Sequence, residues 1–279
     1  MNFIKKNWYQ LFKYSVYLAV LTNVFLFLRK DLNSVAHRFE GEVNFSNWIE
    51  AYTSTIDTAA WVILLILFEL ETYVISDEKL KGGLQWIFKF IRGICYIFIA
   101  SSFFGYISNF NWLQGFEKTN ITALCEVTGE SWMVELDEFK TIKKEDCATL
   151  AEGKTFFIHP EKKVYTDDKF LKDTNWLSIV DILNSLSWIL VVLVLEIDVF
   201  LQLRKRFVGK VVTISKYIKN MLYFILFCAA VYWGVFGDFL EFWDAFLWIV
   251  AFVFIEMNLF DWKQNNDERL SVNGKRPLT

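Results

Sequence analysis

Trp61-Val-Ile-Leu-Leu-Ile-Leu-Phe68 runs straight into Glu69, and Trp188-Ile-Leu-Val-Val-Leu-Val-Leu195 runs straight into Glu196. Neither run carries a polar side chain before its glutamate. An amphipathic surface helix keeps polar residues on its outer face, so helices built on these runs are apolar all round and belong in a large core or a membrane. Working outward, six stretches reach the roughly 20 helical residues that ~30 Å of hydrocarbon demands. They are 8–28, 55–76, 87–110, 177–202, 214–236 and 241–261. None alternates as a membrane β-strand does. Backbone in lipid must satisfy its own hydrogen bonds, which leaves helices.

Composition agrees. Of 279 residues, 54% are hydrophobic and 22% charged, where soluble domains sit at about 45–50% and about 25%. A net charge of −3 provides no basic field, so no nucleic-acid partner is expected. Both prolines, Pro160 and Pro277, fall outside the spans. Unbroken helices argue against transporters that bind substrate at helix breaks. The histidines, His37 and His159, have no ligand neighbours at metal spacing. Phosphate-binding and nucleophile-elbow motifs are absent as well. The expectation is a protein without metal or cofactor that is not an enzyme.

Orientation follows from basic residues in short flanks. Lys5, Lys6 and Lys13, then Lys79 to Arg92, Arg204 to Lys219, and Lys263 to Arg276 all fall on one side of six spans. That side is read as cytoplasmic and holds both termini, in a plasma or bacterial inner membrane. The first span lacks a small-residue cleavage site and reads as a retained anchor. The domain reading places helices 1–3 in 1–110, with 29–54 an interfacial segment at the headgroups. An extracytoplasmic domain occupies 111–175, helices 4–6 occupy 176–262, and 263–279 is a cytoplasmic tail. Ala123–Val127, Trp132–Leu136 and Thr155–Ile158 read as short strands, with Gly129 and Gly153 at turns. So small a unit needs a staple, and Cys125 with Cys147 supplies one on the side where disulfides persist.

Shifting the chain by 127 residues overlays the second and third spans on the fourth and fifth without a gap. Trp61 falls on Trp188, Glu69 on Glu196, Glu71 on Asp198, Lys89 on Lys216, and Arg92 on Lys219. Trp248 and Glu256 in the sixth span repeat the first half, and Lys13 to Tyr17 in the first span repeat the second half faintly. The expected architecture is an all-α polytopic membrane protein of six helices in three pseudo-repeated hairpins, with a small disulfide-stapled β-rich insertion.

Two readings of the intramembrane charges compete. Glu69, Glu196 and Glu256, with Glu71 and Asp198, form an acidic layer that binds or passes a cation or proton. Alternatively, these acids pair with Lys89, Arg92, Lys216, Lys219 and Lys13 and fix helix register. The second acid of each pair points about 160° from the first, so one can face the axis while the other faces a basic neighbour. Asp57 and Asp181 read as helix-terminal acids; Ser178 and Asp238 read as N-caps, and Thr53 to Thr55 as capping the second span. Trp61, Trp188 and Trp248 are a constriction or packing set. The leading expectation is a cation-conducting or cation- or proton-coupled channel or transport component. Its alternative is a structural subunit of a larger membrane complex. The expected partners are the bilayer, a cation or proton, and other membrane subunits or further copies of the chain.

Overall fold

The computed structural model describes residues 2–39, 41–75, 82–121, 124–135, 138–145, 147, 155–203 and 209–252. In chain order, these form α1 (Asn2–Arg38), the short α2 (Trp48–Ala51), and α3 (Thr53–Glu69), which continues into a π-helical turn, Leu70–Val74. Next come α4 (Gly83–Leu113), β1 (Glu117–Lys118), a 3-10 turn (Leu124–Val127), β2 (Ser131–Glu135), β3 (Glu138–Thr141), β4 (Phe156–His159) and β5 (Val164–Asp167). Then follow α5 (Asp168–Leu203) and α6 (Lys210–Phe236), and helical residues 239–252 make α7.

Among the described residues, four helices are long and apolar enough to cross a membrane: Gln10–Arg38, Gly83–Leu113, Asp168–Asp198 and Lys210–Phe236. They carry large exposed apolar side chains, among them Trp86, Phe90, Met221 and Phe224, as lipid-facing helices do. α3 has 17 residues, about 26 Å of rise, and reaches further only through its π turn.

The helices pack around shared cores. Val16 and Val20 of α1, Val62 and Leu65 of α3, and Leu247, Trp248 and Ala251 of α7 form one cluster. Ala60 of α3 meets Cys95 and Ile99 of α4, with Ile189 of α5 alongside. Val191 of α5 meets Leu222 and Leu226 of α6, with Phe252 of α7 against them. Gly105 brings α4 close to α3, because a Cβ there would lie 3.0 Å from Thr53 Cγ2.

At one end of the bundle sits a five-stranded sheet of order β1-β4-β5-β2-β3. β2 and β5 are parallel, with Ser131 opposite Val164 and Trp132 opposite Tyr165; the other pairs are antiparallel. Its core is Leu124, Trp132, Ile142, Cys147, Phe156 and Tyr165, and Cys125 is disulfide-bonded to Cys147. The sheet is seated on the bundle: Phe139 N donates to Asn33 Oδ1 at 3.0 Å and His37 Nδ1 lies 2.9 Å from Ser131 Oγ. Gly115 permits the close approach of His159, whose Nε2 a Cβ would meet at 2.7 Å.

Several details differ from the sequence reading. α1 does not stop at residue 28 but runs on to Arg38. Asp31, Ser34 and Arg38 of this extension are buried, and two of them find partners across the bundle: Asp31 Oδ2 accepts from Thr55 N at 2.9 Å, and Arg38 Nη1 donates to Asn109 Oδ1 at 2.6 Å. It is thus Asp31, rather than Thr53 to Thr55, that satisfies the start of α3. α5 begins at Asp168, so Ser178 and Asp181 lie inside a helix and cannot cap it. Residues 124–127 form a 3-10 turn instead of a strand, with Leu124 buried beside the disulfide. β1, β3 and β5 went unpredicted; β5 is buried on both faces and lacks alternation. Asp238 does cap α7, accepting from Leu240 N at 3.0 Å. Gly153, Lys79, Arg204 and the tail 263–279 lie outside the described residues.

Candidate functional site

Trp61, Trp188 and Trp248 meet in the middle of the bundle, although they come from three different helices. The Trp61 ring centroid is 5.9 Å from that of Trp188 and 6.3 Å from that of Trp248. One helical turn toward the sheet, four residues before each tryptophan, stand Asp57, Asn184 and Asp244. One turn further, seven residues before, stand Ser54, Asp181 and Glu241. All six line one cavity of about 100 Å³, bordered by Trp188, Trp248 and Trp233. Residues spaced at 3.6 per turn share a face at intervals of four and seven, so the helices present this face to a common space.

The cavity holds more acid than base. Arg38 also lines it, but it is ion-paired with Glu50 and lies 4.4 Å from the Trp112 ring. Asp244 accepts a hydrogen bond from Asn23 Nδ2 at 2.7 Å, and Asp57 accepts one from Tyr106 at 3.4 Å. Among the described residues, no Lys or Arg forms a salt bridge with Asp57 or Asp244. Asp57, 9% exposed, retains an Oδ1 without a hydrogen-bond partner, and Trp233, 6% exposed, retains an unpartnered Nε1.

Away from the sheet, beyond the tryptophans, lie the carboxylates that sequence reasoning singled out. Glu69 is buried, and Lys13 Nζ donates to its Oε1 at 2.5 Å. Tyr14 adds a hydrogen bond at 3.2 Å and Tyr17 one at 3.4 Å. Glu71, turned by the π segment, pairs with Arg92 of α4. Asp198 receives Lys219 Nζ at 2.8 Å and Ser215 Oγ at 2.7 Å. Glu196 is exposed and accepts from Tyr96 at 3.0 Å. Arg92 and Lys219 therefore meet the second acids, Glu71 and Asp198, at corresponding places. Lys89 and Lys216 are exposed and form no ion pair among the described residues; Lys89 instead lies 5.6 Å over the Trp86 ring. Lys13, expected opposite Glu256, is on Glu69. Glu256 lies outside the described residues.

Two titratable groups outside the spans connect the sheet end to this region. His159 stacks on Trp112 with centroids 4.9 Å apart, and burial lowers its pKa, with Arg38 and Lys162 adding to the effect and Glu161 opposing it. Burial alone would push Asp238 up, but Lys30 at 2.9 Å and the Leu240 and Phe239 backbone amides outweigh it and hold this carboxyl below its ordinary value.

The cavity acids were within reach of the sequence. In the 127-residue register Asp57 falls on Asn184, and Asp181 falls on Ser54. Grouping Asp57 with Asp181 as helix-terminal acids hid a position four residues before each tryptophan that is Asp, Asn and Asp. No protein-family model, no curated protein and no solved structure matches this chain.

Proposed function

We propose that the chain is an integral membrane protein of six helices in three pseudo-repeated hairpins, α3 with α4, α5 with α6, and α7 with α1. In this reading it is a cation-coupled or cation-conducting transport component. The sheet is extracytoplasmic, both termini are cytoplasmic, and a cation passes from the sheet-side cavity toward the glutamate level. The repeat reading draws support from two matching ion pairs, Glu71 with Arg92 and Asp198 with Lys219, each separated by 21 residues.

One observation carries the cation reading: Asp57, buried, and Asp244, half-buried, line one cavity inside an apolar bundle, and among the described residues no Lys or Arg forms a salt bridge with either. An ionised carboxylate in a membrane interior costs at least ~2–3 kcal/mol unless a cation, proton or water relieves it. The tryptophan cluster separates this cavity from Glu69, eight residues or about 12 Å further along α3, as a hydrophobic constriction does in a channel. Purified protein reconstituted in liposomes should show cation or proton flux, reduced by Asp57→Asn and Asp244→Asn. Absence of flux in the parent across pH and cation identity would sink this reading.

A second reading, a non-catalytic assembly subunit, is favoured by the ion pairs Lys13–Glu69, Arg92–Glu71 and Lys219–Asp198. These neutralise most of the glutamate level and fix helix register, which leaves the sheet-side cavity as the better cation site. Flux in the parent that survives Glu69→Gln would keep the pairs structural and the cavity functional.

A further inference from the structure

Resting on the cation reading above, we propose that the cavity beside Trp188, Trp248 and Trp233 binds a small organic ammonium ion that also carries a hydrogen-bond acceptor. Four features select this class. Asp57 and Asp244 supply negative charge from two helices, and Asp57 Oδ1 has a lone pair that no described residue uses. An ammonium group donates in several directions at once and satisfies two carboxylates. The wall is aromatic: Trp188, Trp233, Trp248 and Tyr106 line the same space, and such rings attract an organic cation through their faces. Trp233 Nε1, buried and unpartnered, needs an acceptor, which a bare ammonium does not offer and a hydroxyl or carbonyl does.

Size and ligand spacing narrow the class further. A cavity of about 150 Å³ holds benzene, so about 100 Å³ suits roughly four heavy atoms. Among the described residues, no three His, Cys, Asp or Glu side chains converge as a metal ligand set. An inorganic ion that sheds its hydration shell needs such a set, whereas an ammonium group needs acceptors for its N–H donors.

The probe is ethanolammonium, titrated into the full chain in lipid nanodiscs at neutral pH while tryptophan fluorescence is followed. A saturable change is expected, at concentrations at least tenfold below those at which sodium, potassium or neutral ethylene glycol acts. Asp57→Asn and Asp244→Asn should each weaken binding at least tenfold, and Trp233→Phe severalfold. Asn184→Asp, which adds a carboxylate at the level of Asp57 and Asp244, should tighten it. The parent's own preference for ethanolammonium over ethylene glycol and sodium decides the matter even where an Asn variant fails to fold. An equal response to sodium or potassium, or no saturable response, overturns the proposal. Saturable ethanolammonium binding without flux of any cation in liposomes keeps this ligand class and sinks the transport reading. Inorganic cation flux without ethanolammonium binding does the reverse.

Discussion

Lys13→Met is the most informative single change away from the cavity. Lys13 is fully buried in α1, and its ammonium sits 2.5 Å from a Glu69 carboxylate that is itself 6% exposed. Removing the lysine takes away this ammonium, and the Tyr14 and Tyr17 hydroxyls at 3.2 and 3.4 Å carry no charge to replace it. Breaking one side of a buried pair typically costs about 3–5 kcal/mol, because the survivor stays buried and uncompensated. At roughly 2–4 °C per kcal/mol for a chain of this size, the apparent melting temperature in detergent should fall by about 10 °C. Glu69→Gln should cost a similar amount. The double variant Lys13→Met with Glu69→Gln removes both charges, so it should recover most of the loss, giving a coupling of at least about 2 kcal/mol in the double-mutant cycle. Thermal unfolding followed by tryptophan fluorescence reads all four proteins. Additive losses would refute the argument, since they would mean that the two charges do not depend on each other.

The disulfide closes a loop of 22 residues, so Cys147→Ser should destabilise the sheet by about 3 kcal/mol on chain-entropy grounds and expose it to proteolysis that the parent resists. His159 is held below its ordinary pKa by burial. The unfolded chain therefore binds more protons in the window between the lowered and ordinary values, and stability should fall as pH is lowered through it. His159→Phe should flatten the slope of sheet stability between about pH 7 and about pH 5, and an unchanged slope would remove His159 from the account. Gly105→Ala places a methyl group against Thr53 and should cost about 1–3 kcal/mol by overpacking α3 against α4; a neutral result in the same melting assay would show that the helices can part.

Much of the fold was legible because its signals are local. A run such as Trp188 to Leu195 tolerates only an apolar surround, whatever else the chain does. Cys125 and Cys147 were legible as a pair since they alone lie in the polar insertion. The tryptophans and the acids after them stood out because scarce residues recur at one spacing. The length of α1 was not legible: residues 29–38 look like a polar flank until Asp31 and Arg38 are seen to face Thr55, Asn109 and Glu50. β5 escaped for the opposite reason, as a strand buried on both faces has no alternation to read.

Local composition established an apolar helical chain, its stapled insertion and the positions where charge recurs, since each depends on neighbours a few residues away. Which charge meets which depends on helix rotation and on the order of helices around the bundle, and these are properties of packing. Packing put Lys13 against Glu69, turned Glu71 and Asp198 to Arg92 and Lys219, and brought Asp57 and Asp244 from distant parts of the chain to one cavity wall. Of the acids expected to face an axis, Glu69 is neutralised by Lys13 and Glu196 accepts from the Tyr96 hydroxyl; Asp57 and Asp244, which form no salt bridge among the described residues, stand one turn on the other side of the tryptophans.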